Sequence, residues 1–203
     1  MKKLSLLGVL VASAAMSHAS FTLATFADPA TDGSTPMFVW DKTNGTLSGS
    51  WTSPGLSMDT PGFINGGQMD NVQMMFDPVA LTSVIPNTIY TFGSGRVRFY
   101  STDINDPFLT ITFDSGTFLI PSAVAASSFT SDNVAFSGPD VPGGAVDQQF
   151  SFSFANPVGS NQQQTYTSSF TSSLDVVPEP ASLASLGIGL SFLGRFRRRK
   201  QGT

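Results

Sequence analysis

The chain has 203 residues, 40% hydrophobic and only 12% charged, with 18 Phe, 19 Gly, 13 Pro and no Cys. That length suits one globular domain, the apolar content excludes a wholly disordered chain, and the missing Cys excludes disulfides, thiolate nucleophiles and Cys-based zinc sites. The formal charge of −4 hides a strong asymmetry: between Ser20 and Val177 three cations (Lys42, Arg96, Arg98) face thirteen Asp and no Glu, a net −10. A body so acidic lacks the clustered Lys and Arg that nucleic acid or anionic lipid would require.

The N-terminus reads Met1-Lys2-Lys3, an apolar run from Leu4 to Ala15, then Ser17-His18-Ala19. A positive start, a short apolar stretch and a small-x-small site form a secretory signal peptide, cleaved after Ala19. This predicts residues 1–19 as a signal handled by the secretion translocon, 20–174 as the folded domain, and 175–203 as a separate C-terminal element.

Within the body, helical periodicity is scarce and alternation is common. Phe150, Phe152 and Phe154 alternate with Ser151 and Ser153, the pattern of a half-buried strand. Val72, Met74 and Phe76 alternate likewise, as do Val97 and Phe99, and Leu109, Ile111 and Phe113. Further strands are predicted at 21–27, 37–41, 46–51, 79–85, 88–92, 117–120, 133–137 and 164–174, with a short helical turn at Ala123–Ser128. Asn44-Gly45 marks a hairpin between 37–41 and 46–51. Strands this short, punctuated by Gly, Pro and Asp, predict an all-β fold, an antiparallel β-sandwich of jelly-roll type. Sixteen Phe fall in the body. Each fully buried ring contributes about 1.5–3 kcal/mol, so ten such rings would offset much of the ordering entropy in a domain without disulfides.

Val177-Pro178-Glu179-Pro180-Ala181 leads into an apolar run ending at Leu193-Gly194, and Arg195, Arg197, Arg198, Arg199 and Lys200 close the chain. The prolines stop helix from spreading back into the body. As a helix, residues 181–194 would extend about 21 Å, short of the roughly 30 Å hydrocarbon core, which suits a transient stop better than a permanent anchor. The basic cluster holds that end in the cytoplasm. This order of elements, over roughly residues 176–200, resembles the PEP-CTERM sorting signal of Gram-negative bacteria. The resemblance implies recognition of Pro178-Glu179-Pro180 by an exosortase, a membrane cysteine protease, and retention by the basic cluster until cleavage. It also implies transient anchoring in the inner membrane and delivery to the cell surface or the exopolysaccharide matrix, the setting of biofilms. The same element occurs in some proteins labelled ice-binding; that label describes the tail and not the domain before it.

The candidate binding residues of the body are few. With no His, Cys or Glu between Ser20 and Val177, Ser-His-Asp and Cys-His hydrolysis and His-ligated zinc are excluded, and the expectation is a protein that is not an enzyme. An Asp pair would suffice for glycoside hydrolysis, but no pair is singled out. Asp103, Asn105 and Asp106 form an oxygen-rich cluster of the kind that suits calcium, and equally an ordinary Asx turn. Trp40, Trp51 and Tyr100, with Tyr90 and Tyr166, are the aromatic residues on which a polysaccharide would stack. Thr110-x-Thr112 and Thr165-x-Thr167 do not repeat, so no ice-binding Thr ladder is expected. The leading expectation is an exported, exosortase-processed protein with a non-catalytic structural or adhesive domain. The alternative is a carbohydrate-binding, lectin-like module assisted by calcium.

Overall fold

The computed structural model describes residues 19–33, 35–86, 88–120, 127–160 and 162–176. The predicted signal peptide up to His18, the Pro178-Glu179-Pro180 motif, the apolar run and the basic cluster lie outside these residues. Twelve strands follow in order: β1 (Ala19–Phe26), β2 (Phe38–Asp41), β3 (Thr46–Asp59), β4 (Gln68–Ile85), β5 (Ile89–Phe92), β6 (Gly95–Tyr100), β7 (Leu109–Phe113), β8 (Ser115–Leu119), β9 (Ser127–Asp132), β10 (Ala135–Ser137), β11 (Ala145–Gly159) and β12 (Gln163–Val176). No helix occurs among the described residues. The all-β, antiparallel expectation is met. Ser127 and Ser128, expected in a helical turn, instead open β9.

The strands form a single sheet in the order β1-β3-β2-β12-β11-β9-β8-β5-β4-β6-β7-β10, and a further β3–β4 pairing closes it on itself. Eight strands thereby make a ring, which removes the exposed edges that an open sheet would present. From β4 the ring continues into β6, β7 and β10, and β1 lies along the second half of β12. The long strands serve two neighbours on one side: β12 pairs with β2 over Gln163–Tyr166 and with β1 over Phe170–Val176.

Two expected strands, 72–76 and 79–85, are one continuous β4. The proline between them is accommodated by a bulge. The register jumps from Leu47↔Val79 to Gly49↔Phe76, so Asp77 and Pro78 lie in the extra length and no ladder donor is missed at the proline. Asp77 takes the salt bridges of Arg96 (2.8 Å) and Arg98 (2.6 Å) from the neighbouring β6. The predicted hairpin forms between Asp41 and Thr46. Its turn is fastened by Asp41, whose Oδ1 accepts the backbone N–H groups of Thr43 and Asn44, both at 3.0 Å. Gly45 supplies the left-handed residue with φ 64°.

Fourteen of the sixteen body phenylalanines are buried, with Phe21 and Phe108 packed partly against them. Phe152 sits near the centre, its ring 4.9 Å from that of Phe38, 5.1 Å from Phe170 and 6.1 Å from Phe76. Most of these contacts are tilted or edge-to-face, the geometry preferred by ring quadrupoles. Room for so many rings comes from glycines on adjacent strands. A Cβ built on Gly49, Gly95 or Gly116 would fall 2.6, 2.4 or 2.0 Å from a ring carbon of Phe38, Phe113 or Phe129. Gly49 and Gly95 stand directly across the ladder from their phenylalanines.

Candidate functional site

Two regions carry chemistry beyond the core: the seam where the chain enters and leaves the barrel, and an outer groove. At the seam, β1 and β12 are antiparallel, with Ala19 opposite Val176 and Ser20 opposite Asp175. The first described residue and the last are therefore cross-strand partners, about 5 Å apart between Cα atoms. Cleavage after Ala19, the site read from the sequence, would leave Ser20 as the first residue of β1. Val177, Pro178, Glu179, Pro180 and Ala181, and the basic residues Arg195, Arg197, Arg198, Arg199 and Lys200, lie outside the described residues. The segment holding them begins one residue after β12 ends.

The seam is locked internally. Ser172 is buried, and its hydroxyl both accepts from the Ala24 backbone N–H (3.2 Å) and donates to the Ala24 carbonyl (3.0 Å). Thr25 Oγ1 donates to the Phe170 carbonyl at 2.7 Å. These three bonds satisfy the polar groups where β1 bulges between Thr22 and Ala24.

The outer groove lies over β9, β11 and β12, with a volume near 770 Å³. Its lining includes a row of hydroxyls. Thr130 stands opposite Ser151 and Ser151 opposite Thr171. In the next row, toward the seam, Gln149 stands opposite Ser173, with Asp132 continuing the row on β9. Thr130, Ser151, Thr171 and Ser173 alternate with buried neighbours, so they point outward, and Gln149 and Asp132 are exposed. Along one wall Asn133 adopts a left-handed backbone with φ 51°, and Asp147 does so in the bulge of β11 with φ 47°. Asn133 is held there by its Nδ2 donating to Asp114 at 3.1 Å. Gln148 fastens the bulge, donating to the Ala145 carbonyl at 3.2 Å while its Oε1 accepts the Phe136 N–H.

The aromatic residues expected to stack on sugar are elsewhere and are covered. Trp40, Trp51 and Tyr100 are 1%, 6% and 5% exposed. Trp40 packs edge-on against Tyr90 and Phe92 inside the barrel, and the Trp51 indole N–H donates to the Pro54 carbonyl. None of the three presents a free ring face: Trp40 and Trp51 fall on the inward alternation of their strands, and Tyr100 is covered at the end of β6. Tyr166 is buried as well; burial pushes its phenol up to about 12, with the Tyr90 phenol adding to the shift. Asp103, Asn105 and Asp106 do lie together, but as a turn. The Asp103 carboxylate accepts the Asn105 backbone N–H (2.8 Å) and side-chain amide (3.1 Å), and its carbonyl accepts the Asp106 N–H (3.0 Å). Among the described residues there is no group of three or more His, Cys, Asp or Glu side chains placed to hold a metal ion. No described helix is long and apolar enough to cross a membrane.

Among the described residues the geometry defines a single all-β body, closed on itself. Residues 176–200 match the PEP-CTERM protein-sorting motif. That motif implies an exported protein, processed by an exosortase and directed toward the cell envelope or surface. No curated protein and no solved structure matches the chain.

Proposed function

We propose that the chain is an exosortase-processed surface or extracellular-matrix protein whose domain is non-catalytic and serves a structural or adhesive role. The sorting motif carries this reading: its match starts at Val176, the last residue of β12. The absence of His, Cys and Glu between Ser20 and Val177 supports the non-catalytic part. The ring's two opposed walls, packed through the phenylalanines, support a flattened barrel of sandwich character. On this reading the translocon exports the chain and the signal is cut after Ala19. The apolar run then holds the protein transiently in the inner membrane, with Arg195 and Arg197–Lys200 on the cytoplasmic side, until the exosortase acts on Pro178-Glu179-Pro180.

Replacing Pro178, Glu179 and Pro180 by alanine tests the processing step. The expected product is a membrane-associated form retaining the C-terminal arginines, detected by mass spectrometry of the intact chain. A mature C-terminus identical to that of the unaltered protein would overturn the assignment.

A further inference from the structure

The groove over β9, β11 and β12 sits on a longer feature that the strand register alone reveals. Starting from β4, Ser83 stands opposite Thr91, Thr91 opposite Thr117, and Thr117 opposite Thr130. The row continues through Ser151, Thr171 and Thr25. Seven consecutive strands thus place a hydroxyl residue at the same level of the outer wall. The groove is where this belt becomes concave, between the Asn133 turn and the Asp147 bulge.

The geometry points to this groove as a binding site for a neutral polysaccharide, lying across Thr130, Ser151 and Thr171 and against Asp132, Gln149 and Ser173. Four arguments select that ligand class. First, hydroxyls and the Gln149 amide both donate and accept, and so match a ligand whose own hydroxyls do the same. Second, Asp132 and Asp147 are exposed at the groove, and among the described residues neither carboxylate has a hydrogen-bond or ion-pair partner. Each is an acceptor for ligand hydroxyl donors and a repulsive element against a polyanion. With the net −10 of residues 20–176, these charges disfavour uronic-acid polymers, nucleic acid and anionic lipid. Third, the volume near 770 Å³ falls within the range of about 300–1,000 Å³ typical of small-molecule sites. Fourth, the floor repeats at about 4.8 Å between strands and about 6.8 Å along them, so a polymer meets equivalent groups along the belt beyond the groove. The site lacks an aromatic platform, which makes orientation depend on hydrogen bonds and keeps single-site affinity weak.

The inference rests on the proposed delivery of the protein among extracellular polymers for its physiological setting only; the groove itself is independent of processing. Affinity electrophoresis of the full chain in a polyoxyethylene detergent, free of sugar headgroups, tests it in native gels containing dextran, mannan, a mixed-linkage β-glucan or alginate. The expected result is retardation by at least one neutral polymer and none by alginate. The triple variant Thr130→Ala, Gln149→Ala, Thr171→Ala should weaken that retardation about tenfold, the effect of losing roughly 1.4 kcal/mol of contacts. A second variant, Ser151→Trp, plugs the floor and should abolish it. Thr52→Ala, an exposed residue of β3 that is off the belt, should leave it unchanged. Both groove variants are first shown to keep the unaltered chain's denaturation midpoint within a few degrees; if one does not, the other decides. No retardation by any neutral polymer, equal retardation by alginate, or unchanged retardation in a folded groove variant would each overturn the site. Failure of sorting in cells would leave these gels unaffected, so the two proposals fail separately.

Discussion

Replacing Gly116 by alanine sets two physical effects against each other. In a strand interior glycine is ordinarily a weakness, and Gly→Ala commonly stabilises by about 0.4–1 kcal/mol through the entropy of the unfolded chain. Gly116 lies in β8, outside the left-handed region, so backbone strain does not enter. The space for a methyl group does. A Cβ at Gly116 would lie 2.0 Å from Phe129 Cζ and 2.6 Å from Cε2. The Phe129 ring has little freedom to withdraw: Phe76, Phe113, Phe150 and Phe92 surround it at 5.4, 5.7, 6.2 and 6.4 Å between centroids. Overpacking a core of this kind costs about 1–3 kcal/mol, which outweighs the entropic gain and leaves a net loss near 1–2 kcal/mol. For a domain of this size that corresponds to a fall in Tm of roughly 2–8 °C. Urea and thermal denaturation of the full chain, followed by circular dichroism, measure it. Gly67→Ala is the control, since nothing lies within 4 Å of its Cβ position. In a Phe129→Leu background the Gly116→Ala penalty should shrink, a direct coupling between the two sites. A Gly116→Ala chain as stable as the unaltered one, with Phe129 in place, would refute the claim that the glycine exists to seat the ring.

Phe152→Ala should cost about 4–5 kcal/mol, the upper part of the range for a buried ring, because Phe152 is fully buried and contacts five other aromatic rings. Urea denaturation checks it, and a loss below about 2 kcal/mol would mean that the cavity collapses. Alkaline stability should depend on Tyr166. Its phenol titrates near 10.0 when exposed and at about 12 in the folded chain, so the unfolded state loses its proton first. Stability is therefore fully present below pH 10 and falls as pH rises toward 12. Tyr166→Phe should flatten the denaturation midpoint across that window, and an unchanged slope would assign the alkaline loss to other groups.

The strand alternation was readable because it is a local property. Phe150, Phe152 and Phe154 declare an inward face by themselves, and Asn44-Gly45 declares a turn. β9 was not readable in the same way. Its sequence, Ser-Ser-Phe-Thr-Ser-Asp, offers a single apolar residue, and what makes it a strand is pairing on both sides with β8 and β11. Asp77-Pro78 reads as a break between strands, and only the opposing β3 residues turn it into a bulge. The aromatic candidates misled for a related reason. Trp40, Trp51 and Tyr100 have a polar handle and an apolar body, and composition cannot say which face of a strand they take. Trp40 sits in phase with the buried Phe38 and Trp51 with Leu47 and Gly49, whereas Tyr100, out of phase with Phe99, is covered at the strand end. The hydroxyl belt has no signature along the chain at all. Its members come from seven strands, and register is a global outcome.

The seam ties the fold to the routing. β12 is bonded to β11, β2 and β1: the ring closes through Gln163–Tyr166, and the β1–β12 ladder cannot be completed until the last residues before the sorting motif have been added. Its partners in β1 lie about 150 positions earlier in the chain, as in the pairing of Ala24 with Ser172. Closing a loop of that length is entropically costly and is recovered only once the ladder and its phenylalanines are in place, so β1–β12 pairing belongs late in folding. A cut upstream of Val176 would remove residues from that ladder, whereas the sorting motif begins where the ladder stops. On the proposed processing, the tail therefore holds the chain while the final strand docks, and its removal leaves every described strand intact. The same register would bring a cut after Ala19 beside the exit of β12, so that on the proposed processing a single seam carries both ends and the groove beside it is left free.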